Sequence, residues 1–225
     1  MEVLQSSSAV GALIFIFASS LLLIWSEILY IKAIIDKQCD PNPITWFSWS
    51  IGAWMLVIVE ISGVAWEIEA FPIRIVFLIV IAVATSIICL CSIFIGKGKN
   101  YIGLTEVCSG IASVIGACIW YAYDAPWVAF MSAIVIDAMG ALPTAISVRS
   151  HPGHEALFPW TLTVLGSAAN LFALLILLSQ TTEIGMLGNS SWTALIFATY
   201  YLAINLFIWL PIRQHSRKRY STAMF

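Results

Sequence analysis

Residues 137–160 read DAMGALPTAISVRSHPGHEALFPW. An apolar segment of about 126 to 148 ends here, carrying Asp137 near its middle, then Gly140 and Pro143, with Arg149 just past its end. The polar break RSHPGHE follows, and apolar residues resume at about 156 and continue to about 180. Crossing the hydrocarbon of a bilayer takes roughly 20 mostly apolar residues. Both runs are long enough, and the break between them is too short to form a soluble domain. This alternation decides the fold class, and it repeats in both directions along the chain.

Working outward gives seven such segments, at about 9–35, 44–65, 71–95, 101–121, 126–148, 156–180 and 191–212. They are separated by DKQCDPNP, WEIEAFP, GKGKN, YDAP, RSHPGHE and TTEIGMLGNSS. Across all 225 residues, 61% are apolar and 10% charged, with mean hydropathy +0.96, far from soluble usage. The expectation is an all-α integral membrane protein with seven transmembrane helices, its partner the lipid bilayer. The amino-terminal stretch MEVLQSSSAVGALIFIF has no Lys or Arg before its apolar run and no small-residue cleavage site. It reads as a span rather than a signal peptide. A net charge of -2 gives no basic field for nucleic acid, which excludes that partner.

Orientation follows from the basic residues, which stay on the cytoplasmic side of short loops. Lys32 and Lys37 lie at the first break, Lys97 and Lys99 at the third, Arg149 at the fifth, and Arg213, Arg217, Lys218 and Arg219 after the last segment. With an odd number of spans these nine share one side and only Arg74 lies on the other, among the acids Glu67, Glu69, Asp124 and Glu183. The amino terminus is therefore expected outside and the carboxy terminus in the cytoplasm.

A shift of 111 residues superposes Pro41 on Pro152 and Trp49 on Trp160, and brings Asp137 within one residue of Glu27. Duplication of a three-helix unit explains this pattern. The expected plan is 3+1+3: residues 1–98 as a first triple-helix bundle, 99–122 as a linker helix, and 123–225 as a second parallel bundle with a short basic tail. That plan, the length, and a proline at the cytoplasmic start of the second and sixth segments resemble the SWEET and PQ-loop superfamily, including the PnuC-type vitamin transporters. The stretch 137–160 is similar to bacterial seven-helix membrane proteins of PQ-loop type. Where that pattern has Pro-Gln, this chain has Pro41-Asn42-Pro43 and His151-Pro152-Gly153-His154-Glu155. The resemblance implies a bacterial inner or plasma membrane location and transport of a small polar solute such as a sugar, vitamin or amino-acid-like metabolite.

Ionisable side chains inside a bilayer are costly and therefore suggest function. Glu27, Glu60, Glu106 and Asp137 fall inside spans. Asp137 is nearest mid-membrane, with no Lys or Arg in the apolar segments to pair with it, so it must be protonated, hydrogen-bonded or wet. Glu60 and Glu106 lie near span ends and read as solvated helix-end acids. Asn170 and Asn205 lie at plausible depths in the same half. The resemblance implies that Asn205 lines a solute cavity, while the asparagine it implies in the third segment is absent, Thr85 and Ser86 being the nearest polar groups there. Trp54, Tyr200 and Tyr201 are deep enough to stack on a flat ligand. The candidate solute-binding set is thus Asp137, Asn170, Asn205, Trp54 and Tyr200. Gly140, Pro143, Pro41 and Pro152 are candidate hinges, because glycine and proline weaken a helix locally.

Other tryptophans, Trp46, Trp49, Trp66, Trp120, Trp127, Trp160, Trp192 and Trp209, lie near span ends and read as an interfacial belt. The five cysteines have no metal spacing and read as small core residues. His151, His154 and Glu155 make a poor metal set on a short loop, with the remaining histidine at His215. Neither a catalytic order, a phosphate loop nor a lysine in the last segment for a retinal Schiff base is present, so no enzyme, cofactor or metal is expected. Two readings compete. A carrier, facilitative or proton-coupled and working by rocking alternating access, would use Asp137 with its amides. A structural or accessory subunit would use the same polar trio as glue between helices and the small faces around Gly110, Ala112 and Gly116 for self-assembly or a larger membrane complex.

Overall fold

The computed structural model describes residues 2–61, 71–96, 102–123, 126–180 and 189–222. Side chains at 2–9, 59–61, 71–77, 126, 127, 129, 180, 189–194 and 218–222 lie outside that description. Glu60, Arg74, Trp127, Trp192, Lys218 and Arg219 are among them, and Trp66, Glu67, Glu69, Lys97, Lys99, Asp124 and Glu183 lie wholly outside.

Seven α-helices account for the described chain: α1 Glu2–Ile35, α2 Pro43–Ile61, α3 Phe71–Phe94, α4 Leu104–Ala122, α5 Pro126–Ser150, α6 Leu157–Gln180 and α7 Asn189–Thr222. One 3₁₀ turn, Pro152–His154, lies between α5 and α6. Five of the helices contain stretches long and apolar enough to cross a membrane: Val10–Ile35, Leu104–Ala122, Phe130–Ser150, Leu157–Ser179 and Leu195–Arg217. In α2 and α3 the apolar stretches are the shorter Pro43–Ile58 and Leu78–Phe94. Helices suit lipid because they satisfy every backbone donor and acceptor internally.

Local chemistry sets the helix ends. The Asn42 side-chain oxygen accepts from the Ile44 N–H at 3.0 Å, with Pro43 in the first helical position. Asparagine followed by proline is a strong helix start, since proline lacks the N–H that the first turn leaves unbonded. At the end of α1, Gln38 N–H reaches Ala33 O at 2.8 Å and Lys37 N–H reaches Ile34 O at 3.0 Å. Lys37 takes the left-handed conformation, φ 55°, that this closure requires. Glu106 accepts from the Gly103 N–H at 2.9 Å and from Asn42 Nδ2 at 3.3 Å. It is therefore a capping acid tying α4 to the start of α2, where the sequence suggested only a solvated one.

The ends meet in a consistent way. Asp40 N–H donates to His154 O at 2.7 Å, a Cβ on Gly96 would stand 3.1 Å from Asp40 Oδ1, and one on Gly153 would stand 3.5 Å from His215 Nε2. The carboxy-terminal ends of α1, α3, α5 and α7 and the amino-terminal ends of α2, α4 and α6 thus share one end of the bundle, which carries Lys32, Lys37, Arg149 and Arg213. Laterally, α3 lies against α1 and α2, α7 against α5 and α6, α1 against α6, α2 against α5, and α4 against α2 and α5.

What faces inward and outward is the reverse of a soluble protein. Leu13, Ile14, Phe17, Leu21, Trp25 and Ile28 are exposed along α1, and Val83, Ile87, Leu90 and Phe94 along α3. The buried positions include Ser19, Ser26, Thr45, Ser48, Ser113, Thr144 and Ser167. Their hydroxyls pair across helices: Thr144 with Thr45 at 2.9 Å, Ser113 with Ser48 at 2.8 Å, Ser26 with Thr163 at 2.7 Å and Ser50 with Ser86 at 2.7 Å. Such bonds between membrane helices contribute about 0.6 kcal/mol each on average.

Several sequence expectations are corrected. Trp46 and Trp160 are each only 4% exposed and belong to a core cluster with Tyr30, Ile34, Ile208 and Ile212, against which Trp49 packs. They are interior rings, not belt residues. Of the cysteines, Cys39 and Cys89 are buried, but Cys108 and Cys118 are exposed on α4, because that helix presents one side to the bundle and leaves the other open. Gly140 and Pro143 do not interrupt α5, which is helical from Pro126 to Ser150. The proline that starts α2 is Pro43, with Pro41 buried just before it. Pro152 starts the 3₁₀ turn, and α6 begins five residues later at Leu157.

Gly140 marks the closest approach of α2 and α5. A Cβ there would lie 2.9 Å from both Ser48 Cβ and Trp49 Cδ1, while a Cβ on Gly11 meets nothing within 4 Å. Gly140→Ala should therefore destabilise by about 1–3 kcal/mol through overpacking. Gly11→Ala should be neutral or stabilising by up to about 1 kcal/mol from helix propensity. Thermal unfolding of both variants in detergent checks the pair, and equal midpoints would contradict the tight α2–α5 seam.

Candidate functional site

Two polar centres stand out. The first lies where α1, α5, α6 and α7 contribute polar groups at mid-helix. Asp137 on α5 is half-buried, and its Oδ2 accepts from the Tyr200 hydroxyl at 2.8 Å. Its backbone oxygen also accepts from Trp49 Nε1 at 3.2 Å, which joins α2 to the same point. One residue beyond Tyr200, Tyr201 lies within the electrostatic reach of both Asp137 and Glu27. Phe197 backs the two tyrosines, its ring 6.3 Å from Tyr200 and stacked 6.1 Å from Tyr201. Spacings of three and four residues put Phe197, Tyr200 and Tyr201 on one face of α7.

Asn205 is buried one turn further along α7. Its amide donates to Tyr201 O at 2.7 Å and to Ser167 Oγ of α6 at 3.4 Å. Ser167 in turn donates to Thr163 O at 2.7 Å. Glu27 on α1 is half-buried, but its Oε2 is shielded from solvent and has no hydrogen-bond partner.

The sequence candidates therefore separate. Asp137 and Tyr200 are joined directly, and Asn205 belongs to the next turn. Asn170 is half-buried on α6, and among the described residues no hydrogen bond links it to Asp137 or Asn205. The polar trio is thus not one network. Trp54 is 41% exposed on α2, its Nε1 donating to Ser86 Oγ of α3 at 3.1 Å. It serves the α2–α3 contact and shares no described bond or ring contact with Tyr200. Gly140 and Pro143 lie one and two turns beyond Asp137, both buried.

The second centre was missed in the sequence. Glu155 is buried, accepting from the Tyr30 hydroxyl of α1 and from Trp160 Nε1 of α6 at 2.8 Å. Tyr30 packs 4.8 Å from Trp46, which meets Trp49 edge-on at 5.0 Å, and Trp49 meets Trp160 at 6.0 Å. His151 and His154 stack on each other with centroids 5.1 Å apart, while Glu155 turns inward to the aromatic rings. No group of three metal-ligating side chains occurs among the described residues. The signal for this centre was the 111-residue correspondence of Trp49 with Trp160, which marks equivalent interior positions better than interfacial ones.

A cleft of about 570 Å³ opens beside this centre, lined by Leu29, Lys32, Asp36, Glu155, His215 and Ser216 among others. A second hollow of about 340 Å³ lies between α4 and α5, around Gly116, Tyr123 and Met131. Neither is lined by Asp137, Glu27 or Asn205. No family model, characterised protein or solved structure matches the chain, so function is argued from these residues.

Burial pushes the Glu155 carboxyl up to about 7; the Tyr30 and Trp160 bonds favour its charged form, and the charge of Asp40 adds to the rise. A carboxyl raised in the folded state is stabilising while protonated. Its contribution is full below the ordinary carboxyl range and is lost as pH rises from about 4.5 to about 7. Glu155→Gln keeps an acceptor for both donors and cannot ionise. The difference in thermal stability between wild type and Glu155→Gln should therefore move against the wild type across that window, and a constant difference would contradict the buried carboxyl.

Proposed function

We propose that the chain is a membrane carrier for a small polar solute, built as two parallel triple-helix bundles, α1–α3 and α5–α7, joined by α4. The observation carrying this reading is that two acids inside membrane-spanning helices, Glu27 from the first helix of one triple and Asp137 from the first helix of the other, both act electrostatically on the one Tyr201. Acids at that depth are costly, and a static bundle gains nothing from them that hydroxyl pairs do not supply.

The helix neighbours support the duplication. Exchanging α1, α2 and α3 for α5, α6 and α7 maps the α1–α6 contact onto α5–α2, and the third helix of each triple lies between the other two. The expected topology, amino terminus outside, agrees with the gathering of Lys32, Lys37, Arg149 and Arg213 at one end. In this reading the conformation is closed. The Asp137–Tyr200 bond ties α5 to α7 and must open for solute to reach the acid, with Asn205 and Ser167 offering polar contacts one turn away. Gly140 and Pro143, beside that bond, are where α5 gives, and the central site alternates between the two sides.

The second reading, a structural subunit, is favoured by the hydroxyl pairs that close the α1–α6, α2–α3, α2–α4 and α2–α5 contacts. Flux separates the two. Reconstituted into liposomes and offered a mixture of polar metabolites, the wild type should move one compound class. Asp137→Asn, Tyr200→Phe and Asn205→Ala should lower that flux by roughly tenfold or more, the scale of a lost hydrogen bond to a charged group, while remaining folded. Well-folded wild type that moves none of them would favour the structural reading.

A further inference from the structure

Among the described membrane-depth acids, Glu27 is the one whose carboxyl has a shielded oxygen without a partner. Counting from the end of α1 at Ile35, it lies eight residues in, about 12 Å at the helical rise. Its neighbour Ser26 is fully engaged, donating to Pro159 O at 2.8 Å and sharing a bond with Thr163. Asp137 is bonded by Tyr200 and Glu155 by Tyr30 and Trp160. Among these carboxyls, only Glu27 has an unpartnered oxygen that is fully shielded from solvent.

The charged form of such an oxygen is expensive without a donor, so a cation or a proton on it is favoured. A metal cation needs several oxygen ligands. α1 is an unbroken helix here, its carbonyls engaged along the helix, and no group of three ligating side chains exists among the described residues. A proton needs one oxygen.

We infer that Glu27 is the loading site for an exchangeable proton, a second titrating position besides Asp137. The inference rests on the carrier reading only for its role, which is to supply the coupling ion. The proton passes from a hydronium ion, leaving water, to the Glu27 carboxylate, and returns by the same bond change reversed. The titratable and charged groups around it are few. On α7 there are Tyr201 and its neighbour Tyr200, and on α5 Asp137. α6, its main packing partner, contains no titratable residue, while α3 offers Cys89 and Cys91 and an Arg74 whose side chain lies outside the description. On α1 itself Tyr30 is committed to Glu155 and Lys32 is exposed at the cleft.

Infrared spectra of the purified protein in lipid nanodiscs at pH 7 read the carboxyl directly. The expected result is a protonated-carboxyl carbonyl band in the wild type that shifts in heavy water, is lost in Glu27→Gln, remains in Asp137→Asn, and is displaced in Glu27→Asp should the glutamine variant not fold. An identical band in wild type and folded Glu27→Gln, or a Glu27 band that does not shift in heavy water, would overturn the inference. In liposomes, wild-type solute flux should respond to a pH gradient, and whatever flux remains in Glu27→Gln should not. Wild type without any flux would remove the carrier reading, and the infrared band would still decide whether Glu27 holds an exchangeable proton.

Discussion

Lipid withdraws the force that normally packs helices. When the surroundings are as apolar as leucine, burying leucine between helices gains little, and close contact must come from small residues and from polar groups that find each other. The interior of this chain follows that constraint. Thr45 meets Thr144, Ser48 meets Ser113, and Gly140 lets α5 sit against Ser48 and Trp49. α2 is the common member of those contacts, bound to α4 and α5 through three neighbouring positions on one face. Many large aliphatic side chains are turned out, though Ile34, Ile88, Ile136 and Ile208 are fully buried, and the α2–α5 seam sets the position of Asp137.

The same scarcity explains how polar residues divide between the two centres. Near the end of α1, where aromatic rings can be gathered from α1, α2 and α6, a buried carboxyl is held by a phenol and an indole, two donors that bring their own apolar bulk. At mid-helix the donors are fewer. Asp137 has one phenol, and Asn205 spends its amide on its own helix and one serine. A well-satisfied carboxyl is fixed in place, whereas a sparsely satisfied one can exchange partners. The closed Glu155 centre therefore has the character of a fastening, while the Asp137 carboxyl is held by a single side-chain bond.

Much of the fold was legible because apolar run length and charged breaks report spans directly. The segment from about 44 and the deep acid Asp137 were read from residue chemistry alone, though the proline that starts the helix is Pro43 rather than Pro41, and α1 and α7 differ from their expected segments mainly by extending further into polar sequence, to Glu2 and Thr222. Lateral packing was not legible. Tryptophan near a span end is compatible with both a headgroup and an aromatic cluster, and only the neighbours of Trp46 and Trp160 decide between them. Cysteine in an apolar run says nothing about which side of the helix it is on, hence the misplacement of Cys108 and Cys118. Asn170 and Trp54 were grouped with Asp137 by depth, yet depth fixes one coordinate and the helix faces fix the other. Glu155, read as part of a loop, is buried because Tyr30, 125 residues away, reaches it.

That separation has a consequence for how the protein is made. The principal partner of α1 is α6, and Ser26 bonds to residues 133 and 137 positions later. During synthesis, α1 must wait in the bilayer with Ser26 and Tyr30 unmatched until most of the chain has been inserted. α2 waits in the same way for α5. The first helices therefore emerge with matching surfaces still open, and a chain that stalls after α3 leaves Ser26, Tyr30 and Thr45 without the partners they have in the finished bundle.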